Sequence, residues 1–347
     1  MERSDNVPLN YCIVVRERTR TTDDLLKLLF REKYCWKSIK LLSSRGPRFG
    51  DLHLESTDMS RLQKLSICFD EDTEIERDID LLNSSQLRSL DLSGARSDLW
   101  RVIMGTVQTQ QLTELELGLT YNGFEVEGPY LITSLDMFIN LKRLKIEFRS
   151  SSYFPFHAWY NPFILLPNLC TLFLRDSCEK LIECLTTPSI ITIDIIGPTH
   201  GEYNIYKFLK RSSPPLENRL ADIRLIKTDD LVHIFLGLPM LKTLRLVPEG
   251  SGDLKLLLNI RIILYIKDSL VDWLLPNLTR LEYCDEFYLN RNMIERVTIL
   301  SHALLSRRRY YGNFRFQIEG GLKFPEDFPY NLKNLLCTVI DVHNYSD

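Results

Sequence analysis

Charged side chains occur at several points along the chain in pairs whose members are separated by one residue. Glu114 and Glu116 form an acidic pair, and Arg143 and Lys145 form a basic pair further on. Carboxylates close in sequence can share acid–base catalysis or hold a cation, which also applies to the acidic run from Asp70 to Glu76, and clustered cations such as Arg307 to Arg309 can contact phosphates. The other residues that each of these chemistries requires must decide between them.

Those other residues do not appear in the patterns that catalysis requires. The motifs G-x-S-x-G, H-E-x-x-H, G-x-x-x-x-G-K-[ST] and G-x-G-x-x-G do not occur. The six histidines lack the paired spacing of metal ligands, and the eight cysteines include no C-x-x-C pair. We therefore predict that the protein is not an enzyme and uses no cofactor and no metal. The sequence favours binding as the role of the charged pairs.

A repeated phrase carries these pairs. Leu112-Thr-Glu-Leu-Glu-Leu117 alternates apolar and polar residues, and imperfect copies of it start at intervals of 21 to 37 residues. Alternation at period 2 predicts a strand with one buried face, and recurrence at this spacing predicts a solenoid of stacked repeats. The copies start at Leu9, Trp36, Leu62, Leu87, Leu112, Leu141, Leu169, Ile190, Leu220, Leu241, Leu278 and Tyr311.

Short apolar stripes at helical spacing lie between these strands, for example Leu99 to Val107 and Met293 to Leu305. The predicted class is therefore α/β: an irregular leucine-rich-repeat solenoid, or horseshoe, with a parallel concave sheet and short helices on the convex side. We predict a single domain over 1–347 with about twelve repeats, in which 324–347 is a C-terminal cap or tail. The irregularity follows because regular repeats place Asn or Cys three residues after the last strand leucine, and this chain does not.

The residues between the strand leucines are predicted to face the concave surface and to bind a protein. The expected protein-binding residues are Asp91, Glu114, Glu116, Arg143, Lys145, Phe173, Arg175, Arg224 and Arg245. Phe173 is aromatic where a solvent-facing residue is expected, and exposed aromatic residues are frequent at binding hot spots. Two structural alternatives remain open: the charges can pair across neighbouring strands, and Phe173 can pack under the 149–162 loop.

Composition excludes several kinds of partner. The net charge of −3 gives no basic excess for nucleic acid, and the longest apolar stretch, Leu254 to Ile266, contains Lys255 and Arg261 and is too short to span a membrane. The amino terminus has no apolar core and does not resemble a signal peptide. Because scattered cysteines without a secretory signal indicate reduced thiols, we expect a cytoplasmic or nuclear protein.

The chain resembles one known family. Glu2-Arg-Ser-Asp-Asn-Val-Pro-Leu9, the Leu-Leu helix that follows, and Trp36-Lys-Ser-Ile-Lys-Leu41 are similar to the segment after the F-box in fungal, basidiomycete-type F-box/leucine-rich-repeat proteins. The phrases Leu166 to Leu172 and Leu275 to Leu281, and the helix ending in three arginines at 307–309, are similar to the later repeats of that family. The resemblance covers almost the whole chain.

This resemblance implies the substrate-binding part of an F-box-type ubiquitin ligase subunit, whose partner is a protein substrate of unknown identity. The sequence departs from the family because no Leu-Pro-x-Glu segment of an F-box precedes the repeats. Binding of the cullin–RING ligase adaptor is thus expected if an F-box exists upstream of Met1. The alternative function is a stand-alone leucine-rich-repeat scaffold or regulator that is unrelated to ubiquitin.

Overall fold

The computed structural model describes residues 8–15, 19, 24–25, 28, 35–43, 59–68, 85–95, 109–119, 134–148, 163–175, 181–196, 202–222, 235, 237–247, 266–267, 272–273, 275–284, 287–288, 294–319, 322–324 and 328–343. The chain divides into two compact units, Met1–Pro188 and Ser189–Asp347. Each unit contains its own parallel strands and buried apolar residues. The single domain of about twelve repeats stays a prediction.

The first unit is built on parallel strands. Its described strands are β1 (Leu9–Val15), β2 (Trp36–Ser43), β3 (Lys64–Cys68), β4 (Ser89–Ala95), β5 (Glu114–Leu119), β6 (Arg143–Phe148), β7 (Ile164–Leu165), β8 (Thr171–Arg175) and β9 (Leu185–Thr186). Seven of these described strands form one parallel sheet in the order β1-β2-β3-β4-β5-β6-β8. β7 and β9 form a separate short parallel pair.

The second unit alternates strands with longer helices. Its described elements are β10 (Thr192–Ile196), α1 (Glu202–Ser212), β11 (Asn218–Asp222), β12 (Thr243–Val247), β13 (Ile266–Lys267), β14 (Asp272–Trp273), β15 (Arg280–Cys284), β16 (Phe287–Tyr288), α2 (Ile294–Tyr311), β17 (Arg315–Glu319), β18 (Leu322–Lys323), α3 (Tyr330–Val339) and β19 (Ile340–His343). The parallel sheet runs β10-β11-β12-β15-β17-β19 among the described strands. β13 and β14 pair antiparallel, and β16 pairs parallel with β18. The predicted α/β class with parallel strands is confirmed.

The alternate leucines of the repeated phrases form the buried face of each sheet. Leu115 on β5 and Leu172 on β8 are 1% and 0% exposed, and Leu244 and Leu281 are equally buried in the second unit. Full burial of one such side chain contributes roughly 1.5–3 kcal/mol. The period-2 pattern therefore predicted correctly which side of these strands faces the core.

Neighbouring repeats are joined by the same main-chain contacts in both units. We call the first residue of each L-x-x-L-x-L phrase its lead residue. The N–H groups of Lys142 and Arg143 donate to the carbonyl of Thr113 at 2.8 and 3.0 Å. In the second unit, the two N–H groups after Leu241 donate to the carbonyl of Glu217 at 2.7 and 3.0 Å. One carbonyl per repeat thus aligns the strand that follows.

Three asparagines add a side-chain contact between repeats. Each stands directly before a lead residue and donates Nδ2 to a main-chain carbonyl of the preceding repeat: Asn140 to Gln110 at 2.8 Å, Asn168 to Ile139 at 2.9 Å, and Asn277 to Pro239 at 2.8 Å. The position after the strand, where regular repeats carry Asn, is not the one used. These asparagines therefore satisfy main-chain carbonyl groups before the strands, whereas regular repeats do so after them.

The strand around Leu220 starts earlier than the sequence predicted. β11 aligns Asn218 with Thr243 and Leu220 with Arg245, so Leu216 corresponds to the lead residue Leu241, and Leu216 is buried. The pattern misled because Arg219 stands where the fourth-position leucine is expected. Arg224, predicted to face the concave surface, is not in β11 and lies outside the described residues.

The last predicted strand also shifts, by two residues, and a further strand follows it. β17 aligns Phe316 with Leu281, which places Asn313 rather than Tyr311 at the lead position. The segment predicted as a cap or tail contains α3 and then β19, which pairs parallel with β17. α2 confirms the helix predicted over Met293 to Leu305, whereas the helix predicted at 99–107 lies outside the described residues.

Candidate protein-binding face

Polar residues that alternate with the buried leucines lie together on the opposite side of the first sheet. We call this surface the open face of the first unit. Strand pairing sets its three cross-strand rows: Ser38, Lys64, Ser89, Glu114, Arg143 and Thr171; Lys40, Ser66, Asp91, Glu116, Lys145 and Phe173; Leu42, Cys68, Ser93, Gly118, Glu147 and Arg175. Seven of the nine expected binding residues thus lie on four adjacent strands, β4, β5, β6 and β8.

A bulge shapes the third row of the open face. β4 shifts register between Ser93 and Ala95, where Gly94 has a positive φ of 73° that favours glycine. A Cβ atom on Gly118 of β5 would lie 3.1 Å from the Cα atom of Ser93. Glycine at 118 therefore allows β5 to pass close to the bulge and keeps the rows aligned.

The acidic side of the open face is largely satisfied by its own neighbours. The Ser66 hydroxyl donates to one oxygen of Asp91 at 2.7 Å, and the Ser93 hydroxyl donates to the other at 3.0 Å. Ser66 is itself buried. Both carboxylate oxygens of Asp91 therefore accept hydrogen bonds within the sheet, so Asp91 stabilises the sheet more than it offers a contact to a partner.

Glu116 and Lys145 form an ion pair between β5 and β6. Lys145 also lies 3.7 Å from Glu147 on its own strand. The three side chains are about a quarter to a third exposed, so solvent screens the pair, and such pairs are worth about 0.2–1 kcal/mol. The cross-strand pairing that the sequence left open is present here and neutralises the middle of the open face.

Arg143 and Phe173 form the aromatic part of the open face. The Arg143 guanidinium carbon lies 5.2 Å from the centre of the Phe173 ring, within cation–π range. Arg143 is exposed and Phe173 is half-buried, so the ring presents apolar surface beside a charge. The 149–162 loop, which was expected to cover Phe173 in the alternative interpretation, lies outside the described residues.

Glu114 and Arg175 are the charged positions whose hydrogen-bonding groups stay open to a partner. Both side chains are exposed, and neither side chain makes a hydrogen bond or ion pair with another described residue. They lie on β5 and β8, on either side of the Arg143–Phe173 pair. Opposite charges thus flank an aromatic centre on one exposed sheet.

In the second unit, the expected binding residue Arg245 pairs with a carboxylate that a second arginine shares. Arg245 lies 3.6 Å from Glu282 on β15, and Arg280 pairs with the same carboxylate. Arg280 also donates from Nε to Oε1 of Gln317 on β17 at 2.7 Å. Glu282 is only 7% exposed, so two guanidinium groups serve one nearly buried carboxylate. Gln317 was missed because the sequence phrase around Tyr311 is degenerate.

Among the described residues, no group of three or more His, Cys, Asp or Glu side chains comes close enough to hold a metal ion. No helix in the described part of the chain is long and apolar enough to cross a membrane. No protein-family model matches the chain, and no curated protein matches it. The surface itself therefore carries the functional argument.

Proposed function

We propose that the chain is a protein-recognition module of the leucine-rich-repeat type, an irregular horseshoe in which the open face of the first unit holds a protein partner. The observation that carries this proposal is the Arg143–Phe173 stack between exposed Glu114 and Arg175. Aromatic and arginine side chains dominate the binding energy of protein interfaces, and charges at the rim select the partner. A broad exposed sheet surface suits a protein better than a small molecule, which requires a cleft or cavity that encloses most of its surface.

We further propose that the bound protein is a substrate of an F-box-type ubiquitin ligase, for which the chain is the substrate-binding part. The support is the resemblance of the opening segment and of the later repeats to F-box/leucine-rich-repeat proteins. A parallel-stranded repeat unit with an open charged face is compatible with holding a substrate for transfer of ubiquitin.

The binding face is tested by a double variant, Phe173→Ala with Arg143→Glu. Neither side chain lies in the core, so the melting temperature should change little. Proteins captured by the wild type should be lost, because the aromatic anchor disappears and its neighbouring charge reverses. The measurement is quantitative affinity capture followed by mass spectrometry, with melting of each purified variant recorded in parallel.

A matched control is available in the same unit. Phe163→Ala with Lys142→Glu removes an exposed ring and reverses a charge at positions outside the three rows. The control should retain the proteins that the double variant loses. Equal capture by all three forms would remove the open face from consideration.

The ubiquitin part has its own test. Co-purification of the full-length gene product with the ligase adaptor and cullin, together with stabilisation of the captured protein when the gene is deleted, is expected. Capture of a partner without adaptor or cullin would instead identify a stand-alone scaffold.

A further inference from the structure

A cavity of about 700 Å³ lies at the β17–β19 end of the second unit. Its wall includes Arg308 near the end of α2, Arg315 and Gln317 on β17, and Asp341 on β19. Gln317 and Asp341 are register partners on adjacent strands. All of its described lining residues belong to the second unit, and none is among the residues of the open face.

The charges around this cavity are unbalanced. Glu282 is already shared by Arg245 and Arg280, and the Gln317 side chain is held by Arg280. The Arg315 side chain is exposed and makes no hydrogen bond or ion pair with another described residue. Two arginines, Arg308 and Arg315, therefore line the cavity, and Asp341 is the only carboxylate among the described residues of its wall.

Arg308 is positioned before any ligand arrives. Its Nη1 atom donates to the carbonyl of Thr338 at 2.7 Å, which ties the end of α2 to α3. The carbonyl groups at the end of α2 carry partial negative charge, and Arg308 in that turn offsets it. A guanidinium that is already fixed loses less conformational entropy on binding than a free one.

We propose that this cavity binds an oxyanion group, a carboxylate or a phosphate, carried by a polar ligand. Arg315 supplies the forked donor that pairs with two oxygens at once, and Arg308 supplies a second, pre-positioned charge. Asp341 accepts a hydrogen bond from a hydroxyl or N–H group next to the oxyanion. The volume lies within the range of small-ligand sites, which run from about 300 to 1,000 Å³.

The test is isothermal titration calorimetry of the intact chain at constant ionic strength. The probes are inorganic phosphate, citrate, and a tripeptide with a central phosphoserine beside its unphosphorylated form. Saturable binding of one or more of the anionic probes is expected. Preference for the phosphopeptide over free phosphate identifies a peptide side chain as the source of the oxyanion, and the reverse preference identifies a small molecule.

Two variants make the test specific. Arg315→Gln should weaken binding by about tenfold or more, because a charge-assisted bidentate contact is lost. Arg309→Gln, an exposed arginine outside the cavity wall, should leave the affinity within about twofold. Asp341→Asn should leave phosphate binding equal or stronger, since a repelling charge disappears, whereas damage to the fold would weaken it. No saturable binding by any anionic probe, or equal affinity of the wild type and Arg315→Gln, would overturn the proposal.

Discussion

The two units stack their repeats with the same main-chain contacts but treat charge differently. In the first unit the charged side chains pair near the surface, as Glu116 and Lys145 do. The second unit has a surface pair as well, between Lys242 and Glu217, but it also buries charge: Glu282 is 7% exposed and Arg307 is 0% exposed. One backbone pattern therefore accommodates both surface and buried charge, and only charged side chains at the surface are in reach of a partner.

Arg307 shows what burial requires of a charged side chain. Its Nη2 atom donates to the carbonyls of Leu275 and Leu278, which flank the turn before β15, and the latter contact is 3.2 Å long. The guanidinium carbon lies 5.1 Å from the centre of the Phe314 ring. At the basic end of α2, Arg307 therefore stabilises the turn before β15, while Arg308 donates to a carbonyl near the end of α3.

The largest expected effect would break what the two units share, their buried leucine face. Leu115→Asp in the first unit and Leu281→Asp in the second should each bury an unpaired charge, which costs several kcal/mol out of a typical total of about 5–15 kcal/mol. Loss of soluble expression is expected for both. The exposed neighbour substitution Glu114→Ala should express normally, and a Leu115→Asp protein that melts like the wild type would refute the register of β5.

An intermediate effect should separate buried from exposed arginine on the same helix. Arg307→Met removes the donor to two carbonyl groups and should lower the free energy of unfolding by about 1–3 kcal/mol. Arg309→Met changes an exposed side chain and should stay within about 0.5 kcal/mol of the wild type. Urea unfolding of both variants measures the contrast, and equal midpoints would mean that Arg307 does not support the turn.

The last comparison, which includes the smallest expected effect, is between the two kinds of ion pair. Lys145→Ala removes a pair whose side chains are about a quarter to a third exposed, and it should cost less than about 1 kcal/mol. Arg280→Ala takes a partner from nearly buried Glu282 and a hydrogen bond from Gln317, so it should cost about 1.5 kcal/mol or more. If chemical denaturation gave the opposite order, the distinction between the units would not hold.

The sequence predicted the buried side of the strands well because leucines at period 2, such as Leu115 and Leu117, have one geometric interpretation. Register was predicted less well where a repeat lacks a leucine. Arg219 interrupts the phrase that starts at Leu216, so the pattern predicts a strand from Leu220 that includes Arg224, whereas β11 ends at Asp222.

The sequence predicted which residues lie on the surface of the sheet but not which of them pair with one another. Alternation placed Asp91, Glu116 and Lys145 on one face, yet it could not show that two serines hold Asp91 or that Lys145 pairs with Glu116. Those contacts depend on which residues align across strands, and that alignment depends on loop lengths. Arg315 and Asp341 were missed for the same reason, since they line one cavity only when β19 pairs with β17.

The contact that joins the repeats has a consequence for how such a chain can change over time. The carbonyl groups that align the next strand belong to residues of unlike chemistry: Lys37, Gln63, Arg88, Thr113, Lys142, Ile191, Glu217, Lys242 and Thr279. Because a main-chain oxygen is the same in every residue, this hydrogen bond exerts no selection on the side chain that carries it. Substitutions can accumulate at these positions until one repeat no longer resembles another, while the geometry that stacks them persists.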